Sequence, residues 1–141
     1  MIEIKAFDYL SEDERTLRNT VFVEEQKFKD EFDIIDSASH HLVLYVDSKP
    51  AACVRFFTED NLTEYHLGRL CVLKEYRGQS LGSLLVREVE KHAKDLGGTA
   101  VILSAQVRAS SFYEKLGYTK KGDIYYDEYC EHIRMYKLLS S

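Results

Sequence analysis

The residues best suited to chemistry stand in one short stretch, residues 77–83, which reads Arg-Gly-Gln-Ser-Leu-Gly-Ser. This stretch follows an apolar, strand-like run at 67–73 and opens a long amphipathic helical pattern. Backbone N–H groups in such a turn and in the first helical turn have no carbonyl partner, and the helix dipole adds positive potential. Arg77 adds a formal positive charge at the same place. The pattern therefore predicts a site for a ligand that carries phosphate groups.

The composition is typical of one globular intracellular domain. The 141 residues are 45% hydrophobic and 30% charged, so we expect a single domain over residues 1–141. A net charge of −5 argues against nucleic acid as a partner, because such binding needs a basic surface. Cys53, Cys71 and Cys130 lack metal-ligand spacing, which favours a reducing cytoplasm and no bound metal. The sequence shows neither a signal pattern nor a membrane-spanning apolar run, so we expect no membrane association.

Hydrophobic periodicity predicts the element order β-α-β-β-β-α-β-α-β-β, an α/β fold with a mixed parallel and antiparallel sheet and helices on both faces. Ser11 and Glu14 form a capping box for the first helix. The strand at 100–104 is apolar throughout, so we expect it to be central and parallel to the strand before it. Strands are predicted at 2–7, 41–46, 51–58, 65–73, 100–104, 118–121 and 131–138, and helices at 11–26, 81–96 and 109–116.

Three kinds of glycine-bearing phosphate loop compete for residues 77–83. A nucleoside-triphosphate loop needs Gly-Lys-Ser or Gly-Lys-Thr at the helix start, and neither is present. A dinucleotide-binding fold needs Gly-x-Gly-x-x-Gly near the N-terminus and an acidic residue on the next strand, which Gly78 and Gly82 alone do not supply. The third kind is supported by a second motif further along the chain.

The loop and this second motif together resemble the GNAT superfamily of N-acetyltransferases. The acetyl-CoA loop of that family reads Arg/Gln-x-x-Gly-x-Gly/Ala, and residues 77–82 here read Arg-Gly-Gln-Ser-Leu-Gly. The family's second motif reads Asn-x-x-Ala-x-x-x-Tyr-Glu-Lys-x-Gly-Phe/Tyr. It is matched at the same offsets by Gln106, Ala109, Tyr113, Glu114, Lys115, Gly117 and Tyr118. The loop alone is weakly specific, whereas both motifs in order on the expected elements are strongly specific.

A closer likeness to the ElaA/YjcF-type branch extends over nearly the whole chain. It is carried by residues 21–26 (Val-Phe-Val-Glu-Glu-Gln), Asp33, Asp36, His41, residues 68–72 (Gly-Arg-Leu-Cys-Val), residues 104–106 (Ser-Ala-Gln) and residues 132–135 (His-Ile-Arg-Met). Two positions depart from the superfamily pattern, since Ser80 replaces a usual glycine and Gln106 an asparagine. If position 80 needs a positive φ, the Cβ of serine costs on the order of 1 kcal/mol.

The resemblance implies an acetyl-CoA-dependent N-acetyltransferase with the GNAT acyl-CoA N-acyltransferase fold. The acetyl group would pass to a primary amine by direct attack in a ternary complex, and the resemblance leaves the acceptor, a small molecule or a peptide, open. Main-chain atoms of 70–72 would hold the pantetheine arm, and the loop would bind the pyrophosphate. The cofactor-binding residues implied are Leu70, Cys71, Val72, Arg77, Gly78, Gln79, Ser80, Leu81, Gly82, Ser83, Gln106 and Tyr113.

The resemblance also implies the catalytic residues. Tyr113 matches a tyrosine that protonates the departing sulfur in many relatives, and a phenol with a pKa of roughly 10 stays protonated at neutral pH. A core tyrosine on the apolar stripe of its helix is the alternative. A protonated amine also needs a base, for which His66 or Glu25 is the candidate. An exposed strand histidine and a solvated helix end are the respective alternatives.

An acceptor pocket is expected around Glu25, Gln26, His41 and His132. We expect Arg69 to pair with a carboxylate, Glu25 being the first candidate. An acidic run would either attract a cationic amine or form a solvated loop. This run comprises Glu24, Glu25, Asp30, Glu31, Asp33 and Asp36.

Two further questions stay open at the level of sequence. The same fold could serve as a non-catalytic module that binds CoA or a partner protein, and an enzyme could use a different acyl group. Tyr125, Tyr126 and Tyr129 precede the last strand, which suits either a homodimer surface or a loop packed on its own domain.

Overall fold

Seven strands and three α-helices follow one another in the predicted order along residues 1–29, 31–127 and 129–140, the part of the chain that the computed structural model describes. The strands are β1 (Ile2–Phe7), β2 (His40–Val46), β3 (Lys49–Phe57), β4 (Glu64–Val72), β5 (Ala100–Gln106), β6 (Thr119–Asp127) and β7 (Cys130–Leu138). The α-helices are α1 (Glu12–Arg18), α2 (Leu81–Asp95) and α3 (Ser110–Lys115). Within these residues no helix is long and apolar enough to cross a bilayer.

The strands form a mixed sheet in the order β1-β2-β3-β4-β5-β7-β6. Strand β4 runs parallel to β5, whereas β1–β2, β2–β3, β5–β7 and β6–β7 are antiparallel pairs. Helix α2 supplies the crossover that a parallel pair requires. The expectation of a strand at 100–104 parallel to its predecessor is therefore confirmed. By its internal contacts the chain divides into a first unit, residues 1–57 with 69–89, and a second unit, residues 58–68 with 90–141.

The first unit has its core between the first helical region and the sheet. Leu17, Val21 and Phe22 of this region are buried and pack with Val43 and Cys53. The helical region is not one regular helix, however. It continues beyond α1 as a π-helical segment, Asn19–Glu25, in which the wider backbone turns shift the hydrogen-bond pattern by one residue.

The start of α1 corrects one detail of the sequence analysis. The hydroxyl of Ser11 accepts the backbone N–H of Glu14 at 3.2 Å, as a helix N-cap does. The carboxylate of Glu14 does not complete the predicted capping box. It binds Arg18 and His41 instead, because two cationic partners stabilise a fully buried carboxylate better than one N–H group.

In the second unit the last two strands are longer than predicted. Strand β6 extends to Asp127, so Tyr125 and Tyr126 lie on a strand rather than in a loop. Gly117 follows α3 at φ 98°, a conformation that glycine adopts without strain, and ends the helix as predicted.

Helix α2 confirms the predicted amphipathic pattern with two exceptions. Two of its leucines, Leu84 and Leu96, are 40% and 53% exposed, whereas Val86 is fully buried. The buried stripe is centred on Leu81, Leu85, Val89 and Ala93, and the two exposed leucines lie at its margins.

Candidate active site

The loop between β4 and α2 has the backbone shape of an anion site. Gly78 has φ 84° and Ser80 has φ 63°, so the chain turns twice through the left-handed region before the helix begins. The carbonyl of Ser80 accepts the N–H of Leu84 at 3.1 Å, which places Ser80 at the helix N-cap. The N–H groups of the first helical turn therefore have no acceptor within the helix. Residues 77–80 are exposed, so a ligand can reach these groups.

Arg77 beside this loop binds the side chain of Glu25. Its two terminal nitrogens, Nη1 and Nη2, each donate to one oxygen of that carboxylate at 2.8 Å. The third donor, Nε, binds the carbonyl oxygen of Val72 at 2.9 Å. A guanidinium binds a phosphate through the same pair of donors, so Glu25 occupies the phosphate-binding edge of Arg77 in this structure.

Strand β4 changes its course just before the residues expected to hold pantetheine. Its ladder with β5 runs from Glu64 to Leu67, so residues 70–72 lie beyond that ladder. Arg69 then has φ 54°, which is rare for a residue with a side chain and marks a local distortion of the strand.

The side chain of Cys71 belongs to the core of the first unit. It is buried, and its sulfur lies 3.5 Å from that of Cys53. Burial raises the pKa of the Cys53 thiol well above its usual value, so this thiol stays protonated at neutral pH. The side chain of Cys71 is therefore occupied by core packing, and ligand contact through its backbone stays a prediction.

Tyr113 on α3 is buried, and its ring packs edge-on against Phe112 and Tyr118 at centroid distances of 4.9 and 5.9 Å. Burial raises the pKa of the Tyr113 hydroxyl above its usual value, so the group is protonated at neutral pH. Among the described residues none forms a hydrogen bond with this hydroxyl, whereas the hydroxyl of Tyr118 donates to Glu90 at 2.9 Å. Tyr113 therefore retains a proton that it can donate to a ligand.

The histidines expected near the acceptor have very different surroundings. His66 on β4 is partly exposed, with its Nε2 3.7 Å from a carboxylate oxygen of Glu59. His132 on β7 is buried, and its Nδ1 lies 3.1 Å from the carbonyl oxygen of Cys130. A carbonyl oxygen only accepts, so Nδ1 carries a proton and donates it, which leaves Nε2 of a neutral ring as an acceptor.

The comparisons with known proteins agree with this geometry. A family model described as an acetyltransferase (GNAT) domain matches residues 6–139. An uncharacterized N-acetyltransferase, YjcF of Bacillus subtilis strain 168, is 38% identical over 104 residues, which are 72% of this chain and 73% of YjcF. The chain belongs to the GNAT family of acetyltransferases.

Comparison with solved structures confirms the GNAT fold. The crystal structure of Escherichia coli ElaA superposes with a TM-score of 0.87 at 25% identity, covering 97% of this chain and 99% of ElaA. An aminoglycoside 6′-N-acetyltransferase complexed with coenzyme A has a TM-score of 0.78, with 99% and 98% of the two chains covered. At 16% identity its likeness is one of fold. The predicted resemblance to ElaA and YjcF is confirmed.

The predicted site residues of this GNAT protein are divided between the two units. The first unit holds the loop at 77–83, the strand residues 70–72, Glu25, Gln26 and His41, and the second unit holds His66, Gln106, Tyr113 and His132. Gln26 follows the π-helical segment, and its N–H donates to the carbonyl of Val21 at 3.0 Å. Gln106 ends β5 and accepts a hydrogen bond from Nε of Arg108 at 2.7 Å.

His41 is held by buried hydrogen-bond partners and does not face a ligand-accessible surface. Its side chain is fully buried in the first unit. Nδ1 lies 2.9 Å from a carboxylate oxygen of Glu14, and Nε2 lies 2.9 Å from the carbonyl oxygen of Asp36. Two acceptors face the two ring nitrogens, so the ring is held as a doubly protonated cation. We therefore leave His41 out of the proposed acceptor pocket.

Part of the acidic run forms ion pairs rather than a solvated loop. Glu31, Asp33 and Asp36 are engaged by arginines of the first unit, while Asp30 lies outside the described residues. The expected pairing of Arg69 with Glu25 is also wrong. Arg69 Nε lies 3.0 Å from a carboxylate oxygen of Glu31, and Glu25 binds Arg77 instead.

The centre of this ionic cluster is Arg18, which is fully buried. Its five N–H donors bind Glu14, both oxygens of Asp36, and a side-chain and a main-chain oxygen of Glu31. Burial alone would raise the pKa of Asp36, but the hydrogen bonds and charge of Arg18 lower it to about 2. The cluster pairs four cations, Arg18, His41, Arg55 and Arg69, with four carboxylates, Glu14, Glu31, Asp33 and Asp36.

Oxygen and nitrogen atoms of Glu14, Asp36 and His41 lie within 4.8 Å of one another, a spacing that could suit a metal ion. The guanidinium of Arg18 already bridges the two carboxylates, at 2.8 Å from Glu14 and 2.7 Å from Asp36. The arrangement is therefore that of a buried salt-bridge network. Glu31, Asp33, Asp36 and Arg69 stand out in the sequence as charged residues of interest, whereas nothing in the sequence indicates Arg18 or Arg55 as their partners.

Proposed function

We propose that the protein is an acetyl-CoA-dependent N-acetyltransferase that moves an acetyl group to a primary amine of an acceptor by direct attack in a ternary complex. The observation that carries this proposal is the loop at 77–83, whose two left-handed residues lead into the N-terminus of a fifteen-residue helix. Membership of the GNAT family and a related fold solved with coenzyme A support the choice of ligand. We also propose that residues 1–141 act as one acetyltransferase domain.

The loop fits a pyrophosphate by its chemistry. It presents backbone N–H groups, a helix N-terminus and the guanidinium of Arg77, all of which attract an anion. Arg77 would leave Glu25 and turn to the phosphate when coenzyme A binds. The hydroxyls of Ser80 and Ser83 could each donate one further hydrogen bond.

The pantetheine arm and the thioester would lie along β4. Residues 70–72 follow the distortion at Arg69 and lie beyond the ladder with β5, so their main-chain groups suit an extended ligand. A backbone N–H directed at the thioester oxygen would stabilise the negative charge that develops there during attack.

The reaction requires one proton to be removed and one to be supplied. The neutral amine nitrogen forms a bond to the carbonyl carbon, and the bond from that carbon to sulfur breaks. We propose that Tyr113, protonated and not bonded to another described side chain, gives its proton to the departing sulfur. The ammonium proton of the acceptor goes to a base, and solvent returns a proton to Tyr113.

The sequence offers two candidate bases, Glu25 and His66, and we propose His132 as a third candidate. Glu25 is held by Arg77, which weakens it as a base until Arg77 moves. His66 is partly exposed beside Glu59. His132 presents an acceptor nitrogen, because its other ring nitrogen binds the carbonyl of Cys130. A pH profile of kcat/KM for variants at these three positions would identify the base.

The direct test is release of free thiol from acetyl-CoA across a panel of amines, followed with a disulfide reagent. Thiol release that requires an amine, together with acetylated product seen by mass spectrometry, would support the proposal. Coenzyme A binding without turnover would indicate a non-catalytic binding module instead. Longer acyl-CoA esters in the same assay would show whether acetyl is the preferred group.

Cellular location and assembly follow as secondary proposals. Cys53, Cys71 and Cys130 are free thiols, which supports a reducing compartment such as the cytoplasm. Tyr126 and Tyr129 are 69% and 57% exposed, which supports their use as a homodimer surface. Sedimentation analysis of the wild-type chain and of Tyr126→Ser would test that surface.

A further inference from the structure

The sheet of the second unit buries apolar side chains on one face and carries a group of polar side chains on the other. On β7 the side chains of Ile133 and Met135 are buried, and Lys137 binds Glu90 of α2 and the carbonyl of Leu116. These three residues point to the helix side. Alternation along a strand directs Arg134 to the opposite side, where it is exposed.

The strand register defines the polar sheet face. Arg134 on β7 lies opposite Ser104 of β5 and opposite Lys121 of β6, and in the next row His132 lies between Gln106 and Tyr125. We use the name polar sheet face for these six residues, Ser104, Gln106, Lys121, Tyr125, His132 and Arg134. The hydroxyls of Ser104 and Tyr125 are hydrogen-bonded, and the ring of Tyr125 lies 6.0 Å from that of His132, so the face is an ordered surface.

The two cations of this face are directly opposite each other without a carboxylate between them. Like charges in facing positions of an antiparallel pair are destabilising. Among the described residues no carboxylate forms an ion pair with Arg134 or Lys121, including Asp123 in the bulge between the two register rows. The chain has 24 acidic and 19 basic residues, so carboxylates are abundant. In the same unit Lys137 is paired with Glu90.

The uncompensated charge lies beside groups that belong to the proposed reaction. Gln106 is part of the second acetyltransferase motif, and it faces His132, whose Nε2 can accept a proton. Arg134 stands two residues further along β7, a displacement of about 7 Å. A single small molecule can therefore place an amine near His132 and an anionic group near Arg134.

We infer that the acceptor is a primary amine that also carries an anionic group, a carboxylate or a phosphate, and that Arg134 and Lys121 bind this group. This inference rests on the proposed function. The guanidinium of Arg134 offers a pair of parallel donors that match either anion, and Lys121 adds a compact charge beside it. The hydroxyls of Ser104, opposite Arg134, and Tyr125, opposite His132, lie on the same face and can add a hydrogen bond to the anion.

The experiment compares amines that differ only in the anionic group. Suitable pairs are tyramine with tyrosine, cadaverine with lysine, and ethanolamine with phosphoethanolamine, the last pair separating phosphate from carboxylate. We expect Arg134→Gln and Lys121→Gln to lower kcat/KM for the anionic member by about 10- to 100-fold, the range for loss of a charged hydrogen bond. The neutral member should change by less than about threefold. Because each amine is compared between variants, differences in amine pKa cancel.

Lys120→Gln is the matched control. Lys120 is exposed on the same strand as Lys121 and faces Met135 in register, so its side chain belongs to the other side of the sheet. This variant removes the same charge and should leave the preference between paired amines unchanged. Arg134→Lys should restore part of the activity toward the anionic member, because it restores the charge without the paired donors.

A binding measurement separates failure of this inference from failure of the proposed function. N-acetylphenylalanine and its uncharged amide are titrated by calorimetry into the protein with coenzyme A present. Tighter binding of the acid that is lost in Arg134→Gln would support the anion site even if no amine turned over. If the protein acetylates amines and Arg134→Gln changes kcat/KM equally for both members of a pair, the inference is overturned and the proposed acetyltransferase function still stands. Absence of both Arg134-dependent binding and Arg134-dependent turnover would also overturn it.

Discussion

Glu25 and Arg77 form a two-pronged ion pair, with both carboxylate oxygens 2.8 Å from guanidinium nitrogens, beside the loop proposed to bind pyrophosphate. The carboxylate thus competes with the phosphate for the same donors. Both side chains are 40% exposed, and exposed pairs typically contribute less than about 1 kcal/mol. The pair is strong enough to orient Arg77 and weak enough for a doubly charged ligand to displace it.

Glu25→Gln should therefore raise the affinity for coenzyme A by up to about fivefold, because Arg77 no longer exchanges one anion for another. Calorimetric titration measures this change. Glu24→Gln is the control. This variant removes the same charge, but the side chain of Glu24 binds Asn19 rather than Arg77. Equal affinities in wild type and Glu25→Gln would show that Arg77 does not bind the phosphate.

The conformation of Ser80 gives a second prediction. At φ 63° a side chain is strained by about 1 kcal/mol, and glycine removes this strain. Part of the gain is offset by the greater freedom of glycine in the unfolded chain. Ser80→Gly should raise the free energy of unfolding by up to about 1 kcal/mol in urea titration.

Ser80→Ala separates the strain from the hydroxyl. It keeps the Cβ and should leave the free energy of unfolding close to that of wild type. If the hydroxyl binds phosphate, the glycine and alanine variants should lose the same affinity for coenzyme A. A stability gain in Ser80→Ala would contradict the strain argument.

The loop and the ionic cluster show what local sequence can and cannot predict. Glycine spacing and helical periodicity are local signals, so they identified residues 77–83, the helix after them and the irregularity at Ser80. The partners of Arg18 come from separate parts of the chain. Asp36, for example, lies on a 3₁₀ turn eighteen residues after Arg18 and also accepts a hydrogen bond from Arg55 on β3. Such pairing depends on tertiary packing, which the hydrophobic periodicity of the sequence does not reveal. The pairing of Arg77 with Glu25 was missed for the same reason.

Tyr113→Phe should lower kcat by at least about 100-fold with coenzyme A affinity nearly unchanged, because it removes the proton donor without changing shape. Burial raises the pKa of Tyr113 above its usual value, so wild-type kcat should not fall through loss of this proton below about pH 10. Stopped-flow measurement of thiol release gives both quantities. Tyr118→Phe is the matched control, since its hydroxyl binds Glu90, and it should affect stability more than kcat. Unchanged kinetics in Tyr113→Phe would remove this residue from catalysis.

Gly82→Glu should abolish coenzyme A binding. Gly82 lies in the first turn of α2, where a carboxylate would face the N–H groups that the pyrophosphate needs. Leu84→Glu places the same charge two residues later at a position that is 40% exposed, and it should bind coenzyme A nearly as wild type does. Circular dichroism of both variants checks the fold. Affinity retained in Gly82→Glu would argue against the loop as the pyrophosphate site.

The buried ring of His41 predicts how stability depends on pH. Burial alone would lower the pKa of His41, but hydrogen bonds to Glu14 and to the carbonyl of Asp36 raise it above its usual value. A pKa that is higher in the folded than in the unfolded protein stabilises the folded state fully below about pH 6.5. This contribution is lost as the pH rises through the folded pKa.

His41→Gln should therefore lower the free energy of unfolding by about 1–3 kcal/mol at pH 6, and the difference from wild type should narrow toward pH 9. Urea titrations at several pH values measure it. His40→Gln is the neighbouring control for loss of an imidazole ring: the ring of His40 is exposed and stacks on Phe56 at 5.0 Å. A His41→Gln deficit that stays constant from pH 6 to pH 9 would mean that the ring is neutral in the fold.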